Sequence, residues 1–172
     1  IKVVPQEWRR ELCVPVVGSH APELQEELNR ISPVQVFNLS ITQPEVIEQT
    51  HQRMAAAYHA DGGPWRRGHM PRTVMVFLDD TEAAARARAE AALGEYWKAL
   101  EGTIDPAKVA RATANALMGT PEQVAAQAAE RFHPDDRLML WFDFYDHDCD
   151  RVIRGMERFA EEVAPQLGAA LA

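Results

Sequence analysis

The sequence predicts an α/β fold of parallel β/α units, in which buried strands alternate with amphipathic helices. The clearest unit lies late in the chain, where Gly119–Val124 has the composition of a capped helix start and Leu138–Phe142 is apolar at every position. Consecutive apolar positions indicate a strand buried on both faces, as in parallel sheets covered by helices. A polar loop and a helix with apolar residues every three or four positions follow, which favours a parallel α/β fold.

Three further strand-then-helix units precede this one. The four predicted strands are Val14–Val17, Val34–Leu39, Thr73–Leu78 and Leu138–Phe142. Residues typical of helix starts follow the first three strands, at Ser19–Glu23, Thr42–Glu45 and Asp79–Glu82. We expect the strands to be neighbours in this order, all parallel, with each following helix on the same face, because crossovers between parallel strands are right-handed.

Residues Glu101–Leu117 do not fit this alternation. They contain Gly102, Pro106 and a short amphipathic segment around Val109, so we interpret them as an excursion between the third strand and its returning helix. Four β/α units are half of an eightfold β/α barrel, whose complete form takes roughly 250 residues. The sequence therefore predicts half of a TIM-type barrel.

A half barrel leaves two strand edges and an inner face without cover. We expect four side chains to face the barrel interior and to need residues from outside this chain to bury them. They are those of Val16, Phe37, Met75 and Leu140.

Composition and charge exclude several classes of protein. The 172 residues are 47% hydrophobic and 26% charged, which is ordinary for one globular domain, and the net charge of −8 argues against nucleic-acid and anionic-membrane partners. No apolar run approaches the roughly 20 residues of a transmembrane helix, and no signal segment opens the chain. Cys13 and Cys149 fit free thiols in a cytoplasmic protein. Ile1 stands where a start methionine would, which points to processing or trimming of a longer chain.

The late motifs resemble the C-terminal end of the bacterial luciferase-like flavin monooxygenases. A Gly-Thr-Pro-Glu-Gln-Val helix start, an apolar strand and a closing helix occur here in the family's order, as Gly119–Val124, Leu138–Phe142 and Arg154–Pro165. Upstream stretches that resemble the fifth-strand and seventh-strand regions of the family are Val3–Pro5, Val14–Ser19 and Val76–Ala85. The resemblance implies that residues 1–172 are the second, C-terminal half of the barrel, with the excursion as the insertion after the seventh strand.

The resemblance also implies a function. In a two-component flavin monooxygenase, a separate flavin reductase supplies reduced FMN, and the enzyme uses it with oxygen to oxidise a small organic molecule. Members of this kind would be homodimers. Two alternatives stay open: a deazaflavin-dependent oxidoreductase of the same superfamily, and a non-catalytic flavin-binding or barrel-completing subunit that joins a missing N-terminal half or a second subunit. The family's usual catalytic histidine belongs to the first half of the barrel, so the catalytic residues are unknown.

The turn Gly18-Ser19-His20 is the candidate cofactor site. Glycine lets a ligand approach the backbone, and free N–H groups at a helix N-terminus attract anions. The family's Gly-Ser pair at this place contributes to the flavin phosphate pocket, and the resemblance carries that role to Gly18 and Ser19. The alternative is that Ser19 or His20 only caps the following helix.

The polar loop from Asp143 to Asp150 is the candidate substrate site. Asp143, Phe144 and Tyr145 follow a predicted strand, at the barrel face where active sites form. The loop is rich in possible metal ligands, but its spacing matches no zinc or calcium pattern, so we favour a solvated loop and predict no metal. The basic cluster Trp65–Arg67 is likewise interpreted as a solvated loop.

Overall fold

The computed structural model describes residues 15–142 and 148–170. Its strands are β1 (Val16–Gly18), β2 (Gln35–Phe37), β3 (Arg72–Leu78), β4 (Leu117–Gly119) and β5 (Leu138–Trp141). Its α-helices are α1 (Pro22–Asn29), α2 (Pro44–Ala57), α3 (Glu82–Ala99), α4 (Pro106–Asn115), α5 (Pro121–Arg131), α6 (Cys149–Arg158) and α7 (Ala164–Ala170). Two 3₁₀ turns, Ala60–Gly62 and Arg67–His69, precede β3, and a π-helical turn, Phe159–Val163, joins α6 to α7.

All strand pairs among the described residues are parallel. β1 pairs with β2, and β3 pairs with β4 on one edge and with β5 on the other. A single parallel bridge between Asn38 and Arg72 links β2 to β3. The predicted α/β fold of parallel β/α units is therefore confirmed, with its four strands in the order β1, β2, β3, β5, and the described strands do not close into a barrel.

One of the five strands, β4, was not predicted from the sequence. The amide of Thr73 donates to the carbonyl of Asn38, the residue after β2, and the amide of Asp79 donates to the carbonyl of Gly119 in β4. The amides of these two odd-numbered residues therefore point towards β2 and β4. The amide of Arg72 donates to Arg137 on the β5 side. Because successive residues of a strand point to opposite edges, β2 and β4 share one edge of β3, with β4 nearer its carboxyl end. The excursion thus contains α4 and leads into β4, which pairs with the same edge of β3 as β2 does.

Helices cover both faces of β3. Val74, Val76 and Leu78 pack against α5 and the π-helical turn, whereas Met75 and Phe77 pack against α3 and α4. The expectation that every helix following a strand lies on the same face is therefore wrong for α3. It follows that the chain's own helices bury Met75, which is 1% exposed.

The register corrects the predicted barrel-facing set. Leu140 is paired with Val74, and Trp141 is paired with Met75. Since paired residues of adjacent strands lie on one face, Leu140 and Met75 lie on opposite faces, and only Met75 could belong to a barrel interior with Phe37 and Val16. Val16 is 62% exposed, as expected for an uncovered inner face.

The start of α5 forms as the sequence predicts. Thr120 accepts a hydrogen bond from the Gln123 amide, and the Gln123 side chain accepts one from the Thr120 amide, which completes a capping box. Gly119 precedes it with φ of +142°, and a Cβ there would lie 2.5 Å from Gln123 Oε1. Both the backbone conformation and the cap therefore require glycine at this position.

We expect Gly119→Ala to lower the free energy of unfolding by about 1–3 kcal/mol, because alanine would strain the backbone and displace the Gln123 cap. The control is Gly94→Ala in α3, where a Cβ would meet nothing within 4 Å. That change should stabilise the protein by about 0.5–1 kcal/mol, since alanine suits a helix interior better than glycine. Urea unfolding of both variants checks this, and equal effects would refute the requirement for glycine.

Candidate functional site

The Gly18-Ser19-His20 turn lies at the carboxyl end of β1, as predicted. Gly18 is the last residue of β1. The Ser19 amide donates to the carbonyl of Phe37 at 3.0 Å, and the buried Ser19 hydroxyl lies 3.1 Å from that of Thr42. The His20 side chain is exposed. Of the two polar side chains in this turn, that of Ser19 is thus buried and that of His20 is open to solvent.

Neither Ser19 nor His20 caps the following helix. The N-cap of α1 is Ala21, which makes no side-chain cap hydrogen bond. The capping alternative is therefore wrong, because the Ser19 hydroxyl is directed to Thr42 instead.

A buried glutamine fixes the turn. The side-chain amide of Gln25 donates to the Gly18 carbonyl at 2.7 Å, and Arg53 donates to the Gln25 oxygen at 2.5 Å. The His20 ring lies over Gly18, with Nε2 3.4 Å from where a Cβ would be. The turn is therefore held by contacts across β1, α1 and α2.

The predicted substrate residues Asp143, Phe144 and Tyr145 lie outside the described residues. The residues on either side are described. Phe142 follows β5 and packs edge-on against Phe159, and Asp148 caps α6 by accepting from the Arg151 amide at 3.0 Å.

A cavity of about 200 Å³ opens at the carboxyl end of β3. Its walls come from α3, α6 and the residue after β5, and its lining contains four arginines and one acid. The charged residues are Arg88, Arg151, Arg154, Arg158 and Asp79. Sequence analysis missed this cluster, because α3 and α6 are distant in sequence and no motif joins them.

Three of these arginines have acidic partners nearby. Arg88 donates to Asp79 at 3.2 Å and to the carbonyl of Leu78 at 2.5 Å. Arg151 donates to Asp148 at 3.0 Å. Arg158 lies between two carboxylates, at 3.2 Å from that of Asp80 and 3.0 Å from that of Glu162, and its hydrogen bond with Glu162 is the main cause of its raised pKa.

A second charged cluster lies at the opposite end of the sheet. The side chain of Asp136 is 1% exposed and accepts from Arg67 at 2.5 Å and from Arg72 at 2.8 Å. Burial alone would raise the pKa of Asp136, but the hydrogen bonds from both arginines outweigh it and hold the pKa below its ordinary value. Arg67 also pairs with Glu48 at 2.6 Å, so the interpretation of Trp65–Arg67 as a solvated loop is wrong for Arg67.

The position of this second cluster indicates a role in stability. Arg72 begins β3, and Asp136 precedes β5 by two residues. In β/α barrels the carboxyl ends of the strands carry active sites, and the amino ends contribute to stability. The ion pairs of Asp136 therefore join the amino ends of β3 and β5 to the turn that holds Arg67.

His51 borders the Asp136 cluster as a buried, neutral imidazole. Its Nδ1 accepts a hydrogen bond from Trp65 Nε1 at 3.1 Å, and its Nε2 lies 4.0 Å from Asp136. Within the described parts of the chain, Nε2 has no hydrogen-bond partner. Burial, helped by the charge of Arg67, lowers the pKa of His51 to about 4.

Two further properties of residues 15–142 and 148–170 bear on function. They contain no group of three His, Cys, Asp or Glu side chains placed to hold a metal ion. None of their helices combines the length and the hydrophobicity of a bilayer-crossing segment.

The fold is shared with solved structures of monooxygenases. The chain superposes on the monooxygenase RslO1 from Streptomyces bottropensis with a TM-score of 0.74 and 21% identity, covering 94% of this chain and 50% of that one. It matches the oxygenating constituent of 3,6-diketocamphane monooxygenase from Pseudomonas putida, a type II Baeyer-Villiger monooxygenase in complex with FMN, with a TM-score of 0.60 and 17% identity over 88% and 47% of the two chains. The structure of apo-MsnO8 matches with a TM-score of 0.55 and 15% identity, covering 99% of this chain and 53% of that one.

The chain thus spans about half the length of these structures. No protein-family model and no curated protein sequence matches it.

We expect the free energy of unfolding to decrease as the pH falls, because the unfolded chain protonates His51 more readily than the folded protein does. The folded pKa of about 4 lies below the ordinary value of 6.5, so the unfolded chain takes up the proton first. This contribution to stability is therefore complete above about pH 6.5 and is lost as the pH falls towards 4. Between pH 7 and pH 4 the wild type should lose about 3 kcal/mol more of its free energy of unfolding than His51→Gln.

Denaturant unfolding over this pH range measures the difference. Asp136 and Glu48 are present in both proteins, so the difference between the profiles reports His51 and its charge interactions with these two carboxylates. A His133→Gln variant is the control for the loss of an exposed imidazole, because the His133 side chain is 50% exposed. Parallel profiles for the wild type and His51→Gln would contradict the assignment.

Proposed function

We propose that this chain is the C-terminal half of a luciferase-like flavin-dependent monooxygenase that oxidises an organic substrate with reduced FMN and oxygen. The observation that carries the proposal is the superposition of 94% of the chain on half of a monooxygenase structure. A second monooxygenase with this fold is in complex with FMN, which supports FMN as the cofactor.

The residues after β1 fit a flavin phosphate. Gly18 lacks a Cβ, His20 is exposed, and the first N–H groups of α1 have no intrahelical partner. We propose that His20 and these amides hold the phosphate, while Ser19 positions the turn through Thr42 and Phe37. When bound, reduced FMN would supply the electrons that activate oxygen, and the protein would orient the flavin and exclude water.

Exposed apolar side chains support the proposal that further β/α units complete the barrel. Six of the large exposed hydrophobic residues lie in the first and last units of the sheet, namely Val16, Leu24, Ile31, Met139, Ile153 and Met156. Large apolar groups left in water favour a covering partner. We propose that an N-terminal half or a second subunit covers these edges and that a flavin reductase supplies the reduced cofactor to a homodimeric enzyme. Asp143, Phe144 and Tyr145 remain our proposed substrate contacts.

Reconstitution tests the function and the cofactor. We expect the protein, with its barrel-completing half, to bind FMN more tightly than a deazaflavin and to consume oxygen when a reductase supplies reduced FMN. Absorption spectra of the two reconstituted samples distinguish the cofactors. Binding of the deazaflavin alone would replace this function with the deazaflavin-dependent alternative.

We expect Gly18→Glu to weaken FMN binding by about 1–3 kcal/mol, because it would place a negative charge beside the phosphate. Gly18→Gln is the matched control, since it adds a side chain of the same shape without the charge. Flavin titrations of both variants, with a thermal melt of the unliganded proteins, measure the effect. If Gly18→Glu folds normally and binds FMN like Gly18→Gln, the phosphate lies elsewhere.

A further inference from the structure

We infer that the arginine-lined cavity at the carboxyl end of β3 binds the anionic group of an organic ligand, a carboxylate, sulfonate or phosphate carried on an apolar body. As a statement about the substrate, this inference rests on the proposed function. As a statement about binding, it stands on the cavity alone.

The cavity has an apolar floor and a positive rim. Val76, Leu78 and Phe142 contribute apolar surface, and the four arginines come from the two flanking helices. Asp79 is the only acidic residue among the described residues that line it. The lining itself is thus basic in a chain with a net charge of −8, while Asp148, Asp80 and Glu162 beside it pair with Arg151 and Arg158. Such a combination suits a ligand that is apolar at one end and negatively charged at the other.

The spacing of the arginines concentrates the charge. Arg151, Arg154 and Arg158 are separated by three and four residues, so they lie on one face of α6. Like charges at this spacing destabilise a helix. Asp148 and Glu162 already pair with Arg151 and Arg158, so an anion would act mainly on Arg154. The planar guanidinium group can bind a carboxylate or phosphate through two parallel hydrogen bonds.

Contacts of the individual side chains leave room for such a ligand. Arg88 is held against the end of β3 by the Leu78 carbonyl, which fixes its position. Glu162 holds Nε and Nη2 of Arg158, and Nη1 pairs with Asp80, whose side chain is 88% exposed. Pairs exposed to this degree contribute little, so a ligand would compete with Asp80 for Nη1. Arg154 is exposed, and among the described residues it has no hydrogen bond or ion pair, although its charge acts on Asp148.

The anionic group could come from the substrate or from the flavin phosphate, and the chemistry of recognition is the same. A cavity of about 200 Å³ has room for a small organic acid or for one phosphate group with its linker, but not for a whole flavin nucleotide. Binding experiments can separate the two sources.

Calorimetric titration of the intact protein provides the test. The probes are hexanoate, the neutral 1-hexanol, FMN and riboflavin, which lacks the phosphate. Arg154→Gln should weaken binding of the anionic probe about tenfold, as expected for one charge-assisted hydrogen bond, and should leave 1-hexanol unaffected. Arg86→Gln is the matched control, because Arg86 is 57% exposed on α3 and does not line this cavity.

Hexanoate binding that depends on Arg154 would assign the anion to a substrate. FMN binding that depends on Arg154, with riboflavin unaffected and hexanoate unbound, would assign it to the flavin phosphate and would overturn the placement of that phosphate at His20 and the start of α1. Either result supports the inference. The inference is overturned if Arg154→Gln weakens the binding of neither hexanoate nor FMN, or if Arg86→Gln weakens binding as much as Arg154→Gln does. A protein that binds neither FMN nor riboflavin would refute the proposed function and still leave the hexanoate result to decide the anion site.

Discussion

The described structure depends on the burial of β3. This strand is paired on both edges, and its last five residues, Val74–Leu78, are at most 4% exposed. Because the two faces of the strand pack against different helices, the apolar cores on either side of the sheet meet at its backbone. Removing either layer would expose one face of Val74–Leu78, a segment without polar side chains. The candidate cavity and the Asp136 cluster lie at its two ends.

The junction between β2 and β3 is much weaker. Only the bridge from Asn38 to Arg72 joins the two sheets, and the buried Asn38 amide has no side-chain hydrogen bond within the described residues. An unpaired buried polar group costs about 1–3 kcal/mol, so the Asn38 side chain does not strengthen this junction. The ion pairs from Arg67 and Arg72 to Asp136 offset that weakness, because they tie the segment after α2 to both β3 and β5.

The sequence predicts the elements that have strong local signals. The apolar run of β3 and the capping residues before α5 are sufficient to locate those elements, and the helix start at Thr120 forms with the predicted partner, Gln123. β4 has only three residues and no periodicity, so its pairing depends on the position of β3 rather than on its own composition. The arginine cavity and the Asp136 cluster were missed for a related reason: their residues converge only after the chain has folded.

The placement of α3 and α4 limits how a barrel could be completed. They already cover Met75 and Phe77, on the face of β3 that would otherwise join a barrel interior. Added β/α units therefore cannot supply the core opposite β3 without displacing these helices. They can cover Val16 at the β1 edge and Met139 at the β5 edge, which are 62% and 42% exposed. A partner would thus meet the sheet mainly at its two outer strands, while α3 and α4 remain between β3 and the centre. The arginine cavity lies between α3 and α6 at the carboxyl end of β3, so it is bounded by helices from both faces of the sheet.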